Sequence, residues 1–192
     1  MEIVFASSNK NKLEEIAALC PDHIKLIGLE ELGITEEIPE TSPTLVGNAL
    51  QKANYVFERF QKPVFADDTG LEIEALDGRP GVYSARYAGE GKDANANMDK
   101  VLAELSGKEN RKACFKTVIA FIDANGEQFE FEGRVDGEIL EQKTGEKGFG
   151  YDPIFRPDAY DVSFAEMPLT EKNKISHRAR ATQKFVAFLA GL

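Results

Sequence analysis

Asp67 and Asp68 stand side by side in the stretch PVFADDTGLEIEAL, behind a short apolar run and ahead of Thr69 and Gly70. An Asp-Thr-Gly triplet after an apolar strand suits a protease in which two aspartates share a proton. That chemistry needs a second triplet or a symmetric dimer. The chain holds one triplet, set among long amphipathic helical patterns rather than strands. The alternative is a carboxylate turn at a strand end: Asp68 ligates Mg²⁺ or takes a proton from water, and Thr69 donates to a phosphate oxygen. Hard oxygen ligands fit Mg²⁺, which takes only one or two carboxylates from a protein and keeps waters for the rest.

Three other clusters carry groups of the right kind. Ser7, Ser8, Asn9, Lys10, Asn11 and Lys12 form a polar turn between an apolar strand and a helix. That arrangement aims backbone N–H groups and the positive helix end at an anion, and lysines suit phosphate. It is not a Walker A loop, because the glycines and the spacing are missing. Further on, Phe149, Gly150, Tyr151 and Asp152 follow Lys147-Gly148 and precede Pro153. Glycines there let the backbone approach a flat ligand, the Phe ring offers a stacking face, and Asp152 could accept from a base edge. Lastly, Lys172, His177 and Arg178 lie at or near the start of the last helix, where cations oppose the helix dipole unless an anion is near. Together the clusters supply what a nucleotide's phosphates, metal and base require.

The elements that must position these residues are legible in outline. Glu2 to Ala6 and Ile24 to Leu29 read as strands, with a helix from Lys10 to Cys20 between them. Thr35 to Thr44 is an acidic, proline-bearing loop containing Glu40. A long helix runs from Thr44 to Phe60, with Leu45, Ala49, Ala53, Val56 and Phe60 as its apolar stripe and Thr44, Asn48 and Lys52 on another face. Val64 to Ala66 is a strand expected to end at the aspartates. Asp93 to Leu105 reads as helix, and Ala113 to Ala124 with Gln128 to Ile139 as a hairpin about Asn125-Gly126. From Ile175 the pattern is helical, with Ile175, Ala179, Thr182, Val186 and Leu189 on one face. The expectation is an α/β fold: a mixed sheet with flanking helices, a single domain over residues 1–192, in two lobes enclosing a central cleft.

Composition narrows the classes. With 33 acidic against 23 basic side chains the formal charge is −10, which argues against a nucleic-acid partner that would need a basic surface. No apolar run is long enough for a membrane span, the N-terminus lacks signal-peptide features, and two distant cysteines show no metal or disulfide pattern. A cytoplasmic address is expected.

Taken together, SSNKNK, NALQKA, PVFADDTGLEIEAL, GRPGVYSARYAG, GEKGFGYDPIF and EKNKISHRARA resemble the inosine/xanthosine triphosphate pyrophosphatase family, in family order across residues 7–181. The resemblance implies Mg²⁺-dependent hydrolysis of non-standard purine nucleoside triphosphates (ITP/dITP, XTP/dXTP) to monophosphate and pyrophosphate, by a homodimer with the site between lobes. It places Ser7 to Lys12 and Lys52 on phosphates, Asp68 as metal-associated general base with Thr69 beside the substrate, and Phe149, Gly150, Tyr151, Asp152, Lys172, His177 and Arg178 around the base. Glu40 or Asp67 would be a second metal ligand. Where the family has Phe-x-Glu-Asn-Ala, this chain has Leu45-Val46-Gly47-Asn48-Ala49, so an acidic side chain is missing at Gly47. The competing activities are hydrolysis of other modified nucleotides and binding without cleavage.

Overall fold

In a computed structural model describing residues 1–191, the first strand is buried on both faces. Strand β1 (Glu2–Phe5) sends Ile3 and Phe5 into one core and Val4 into another. That is the pattern of an interior parallel strand. It pairs in parallel with β2 (Lys25–Ile27) and with β3 (Val64–Ile73). Helix α1 (Lys10–Ala17) connects β1 to β2, and α2 (Leu45–Phe60) precedes β3. β4 (Pro80–Gly81) pairs antiparallel with β3, α3 (Ala94–Glu104) follows, and β5 (Lys112–Ile122) and β6 (Gln128–Ile139) are joined through Asp123–Glu127. β7 (Phe155–Pro157) pairs antiparallel with β6, and α4 (Leu169–Ile175) and α5 (His177–Leu189) end the chain. The sheet order is β2-β1-β3-β5-β6-β7, with β4 on β3. The expected mixed α/β fold is what forms.

The described chain divides into two compact units. The first comprises 1–68, 117–133 and 178–191; the second comprises 69–116 and 134–177. In the first unit, Ala53 and Val56 of α2 pack with Val4, Val64 and Ala66 on one sheet face. On the other face, Ile16 of α1 and Ala181 and Phe185 of α5 pack with Ile3, Phe5, Phe65 and Phe121. The Phe5 and Phe65 rings stack at 4.7 Å, and Phe65 meets Phe185 at 5.0 Å. The second unit has its own core, built from Leu71, Ile73, Met98, Val101, Phe115, Ile139, Phe155 and Phe164 among others.

Two local expectations are corrected. β3 does not stop at Ala66 but runs through Asp67, Asp68, Thr69 and Gly70 to Ile73. Asp and Gly are poor strand residues, but here the ladder and the partners of the carboxylates outweigh that preference. The C-terminal helix begins at His177 rather than Ile175, and a separate short helix, Leu169–Ile175, precedes it. Ser176 is extended (φ −65°, ψ 156°) and returns its N–H to Lys172 O at 2.9 Å, so α5 starts afresh at His177. No helix among the described residues is long and apolar enough to cross a membrane.

Candidate active site

Strand alternation explains why two adjacent aspartates differ. Successive strand residues face opposite sides of a sheet. Val64 and Ala66 lie under α2 and Phe65 under α1 and α5. Continuing that alternation, Asp67 meets α1 and α5, and Asp68 meets α2.

Asp67 is fully buried. Lys12 Nζ lies 2.9 Å and Arg178 Nε 3.6 Å from its Oδ2, and Arg178 also pairs with Glu15. Burial works against the Asp67 charge, but Lys12, Arg178 and Lys52 outweigh it and hold the carboxyl below its usual range. Burial pulls the Lys12 ammonium below its ordinary value, with Asp67 opposing. Arg178 is therefore held in a network of buried charges; a guanidinium at 2% exposure needs such partners.

Asp68 sits in the opposite setting. Asn48 Nδ2 donates to its Oδ2 at 3.1 Å, and Lys52 Nζ stands 4.0 Å from Oδ1. Lys52 also pairs with Glu40 and donates to the Asp67 carbonyl at 2.7 Å. Burial raises the Asp68 carboxyl above its usual range in spite of Lys52 and Lys12. The Lys52 ammonium goes the other way: burial lowers it, but Asp68, Glu40 and Asp67 together leave it above its ordinary value. Added positive charge would stabilise ionised Asp68. Among the described residues no three acidic, His or Cys side chains form a metal-holding group. Mg²⁺ does not need one, since one or two carboxylates suffice when substrate phosphates and waters complete the shell. Asp68 and Glu40, both within reach of one ammonium, fit that mode. Asp67 is already engaged by two cations.

The Ser7–Lys12 turn leaves β1 at its carboxyl end, where ligands of parallel sheets bind. Asn9 caps α1, its Oδ1 accepting from Lys12 N at 3.2 Å, while Ser7 Oγ accepts from Asn9 N at 3.2 Å. Ser8, Asn9, Lys10 and Asn11 are exposed.

The second unit gathers the aromatic cluster. Asp152 Oδ2 accepts from Lys172 Nζ at 2.7 Å and from Phe149 N at 2.8 Å. Lys172 Nζ lies 5.1 Å from the Phe149 ring centre, within cation–π range. His177 stacks on Phe115 at 4.5 Å. The Tyr151 hydroxyl donates to Ser84 O at 2.7 Å, and burial pushes its phenol up. Thr69 is partly exposed. Gly148 is at φ +72°, and a Cβ on it would lie 2.1 Å from Asp152 Oδ2. Gly148→Ala should therefore cost about 1–3 kcal/mol in a urea titration, the strain of a left-handed non-glycine residue; a loss under a few tenths would mean that this loop is not fixed.

Sequence reasoning missed Glu15 and the joint role of Asn48. Glu15 could have been noticed: it stands three residues after Lys12, on the buried side of α1. Cys20 and Cys114 are free thiols, as expected, though Cys20 is only half-buried.

A model of the Ham1 family matches residues 3–188. The dITP/XTP pyrophosphatase of Flavobacterium johnsoniae is 52% identical over 189 residues, 98% of each chain, and that of Bacillus subtilis is 48% identical over 191 residues, 98% of this chain and 96% of its own. The structure of the Staphylococcus aureus Ham1 protein matches with a TM-score of 0.91 at 42% identity, covering 100% of this chain and 99% of that one. Similarity running through both units, in sequence and in backbone alike, makes this chain a member of the Ham1 family.

Proposed function

We propose that the chain hydrolyses non-standard purine nucleoside triphosphates, dITP and XTP among them, to the monophosphate and pyrophosphate with Mg²⁺. The observation that carries this reading is the setting of Asp68, a buried carboxylate raised above its usual range beside Lys52 and Asn48. A module that only bound nucleotides would gain nothing from a carboxylate so poised. The relatives named as dITP/XTP pyrophosphatases support the substrate class.

Asp68 and Glu40 would hold Mg²⁺, which when bound neutralises phosphate charge and makes a coordinated water more acidic. Asp68 accepts the proton of the attacking water as its oxygen bonds to phosphorus. The bond to the α–β bridging oxygen breaks, and pyrophosphate leaves with the electron pair. Lys12 and Lys52, with the Ser7–Asn11 turn, stabilise the charge developing on the phosphate oxygens. Asp67 keeps the Lys12 ammonium in place, and Arg178, itself paired with Glu15, adds a second cation to Asp67. Phe149 offers the base a stacking face, and Lys172 is a cationic donor suited to the 6-oxo group of hypoxanthine or xanthine. Adenine would set an amino donor against that donor. Asp152, Tyr151, Gly150 and His177 shape this aromatic cluster, and Thr69 donates to the substrate. The proposal includes a homodimer, checked by sedimentation, and a cytoplasmic address, which the two free thiols support.

The test is pyrophosphate release from dITP, XTP, dATP and dGTP with and without Mg²⁺. The expected result is a kcat/KM for dITP and XTP about 10–100-fold above that for dATP, lost on chelation and restored by Mg²⁺. Equal rates on dATP, or full activity in chelator, would overturn it.

A further inference from the structure

Gly47 is anomalous in position, lying inside the first turn of α2 where any residue but proline would favour the helix more. A Cβ built there would fall 1.9 Å from Ser42 Oγ, 2.7 Å from Ser42 Cβ and 2.9 Å from Thr44 Oγ1. Rotating the Ser42 hydroxyl away would not relieve the contact with its Cβ. Gly47 is therefore the place where the loop carrying Glu40 comes down onto the helix. Asn48, the next residue, is 1% exposed and uses both ends of its amide. Its Oδ1 accepts from Ser42 N at 2.9 Å, and its Nδ2 donates to Asp68 Oδ2 at 3.1 Å. One side chain thus joins the backbone of the Glu40 loop to the Asp68 carboxylate. With Oδ2 engaged by an N–H, Oδ1 is the oxygen turned toward Lys52.

We propose that Gly47 and Asn48 are positioning residues that bracket Glu40 and Asp68 into one divalent-cation site: Gly47 by admitting Ser42, Asn48 by tying Ser42 to Asp68. The inference rests on the reading of Asp68 and Glu40 as the metal-holding pair and deepens it. It also accounts for the missing side chain at 47, because that space is filled by Ser42. The loop cannot carry Glu40 away without breaking the hydrogen bond from Ser42 N to Asn48 Oδ1.

The experiment is titration of Mn²⁺ alone into the full-length protein by calorimetry or electron paramagnetic resonance, beside Mg²⁺-dependent turnover and a thermal melt. Asn48→Ala and Gly47→Ala should each weaken Mn²⁺ binding and raise the Mg²⁺ midpoint about 10–100-fold, the usual effect of losing a residue that orients a ligand. Adding Ser42→Gly to Gly47→Ala should return the Mn²⁺ affinity to within about threefold of the parent by the same scale. Were the Cβ accommodated without displacing Ser42, Gly47→Ala would raise the melting temperature, as alanine does at an ordinary helix glycine, and leave the midpoint alone. Parental Mn²⁺ affinity in either single variant, or no rescue by Ser42→Gly, overturns the bracket. If Gly47→Ala does not fold, the Asn48→Ala titration decides alone. Asp68→Asn measured in parallel separates the layers: parental Mn²⁺ affinity there removes the metal-holding pair itself, whereas a defect there with parental Asn48→Ala and Gly47→Ala variants removes only the bracket.

Discussion

Asp68→Asn should reduce turnover of dITP by a factor of ~10²–10⁴ while leaving the fold intact, the range set by loss of one acid–base group. The substitution keeps shape and volume. It removes a negative charge and the ability to take a proton, and Asn48 can still donate to the new side-chain oxygen at the 3.1 Å position. What then faces Lys52 is an amide N–H, which suits neither a cation nor a water proton. Because burial already works against charge at this site, folding should not suffer when the charge goes. A steady-state pyrophosphate assay beside a thermal melt checks both halves. Turnover within a few-fold of the parent would remove Asp68 from the chemistry, whatever becomes of substrate specificity.

The sequence disclosed a good part of this arrangement, and the omissions have physical causes. Apolar periodicity placed α2, which buries one stripe, and the Asn125-Gly126 turn with the alternation along β6 placed the hairpin, although β5 itself is buried almost continuously. Periodicity failed at β3. Asp67 to Gly70 look like a turn locally, and it takes the sheet ladder together with the partners of the two carboxylates, brought from α1, α2 and α5, to keep the strand going. The same failure hid the division of labour between the aspartates. With the strand taken to stop at Ala66, nothing says that Asp67 and Asp68 face opposite ways. The stripe read in the last helix included Val186 and omitted Phe185, although it is the Phe185 ring that meets Phe65 and Phe121. The rest of that stripe holds, with Ala179, Thr182 and Leu189 buried, although the helix starts afresh at His177 after Ser176. Gly47 was legible as a departure but not as a solution, since the atoms filling its missing side chain come from a loop whose path has no periodic signal.

The buried network around Asp67 leads to an equally large effect of a different kind. Asp67→Ala should cost about 3–5 kcal/mol of stability, the usual result of removing one partner from a buried ion pair. The carboxylate is wholly buried, and two cations depend on it: Lys12 at 2.9 Å and Arg178 at 3.6 Å. Their responses to its loss differ. Arg178 retains Glu15 and cannot give up its proton at any ordinary pH. Lys12, already held below its usual value by burial, can deprotonate or shift, so the penalty should fall toward the lower end of that range. It follows that Lys12→Met, damaging alone because it leaves Asp67 with Arg178 as its main counter-charge, should be much less damaging once Asp67 is gone. Chemical denaturation of the two single variants and the double should therefore give a coupling energy of about 1–3 kcal/mol. Additive losses would mean that the Lys12 ammonium and the Asp67 carboxylate do not depend on each other, and Lys12 would then owe its place beside the phosphate turn to helix packing alone. A large coupling would instead make Asp67 a stabilising partner of the phosphate-binding lysine, giving the adjacent aspartates separate tasks on the two faces of one strand.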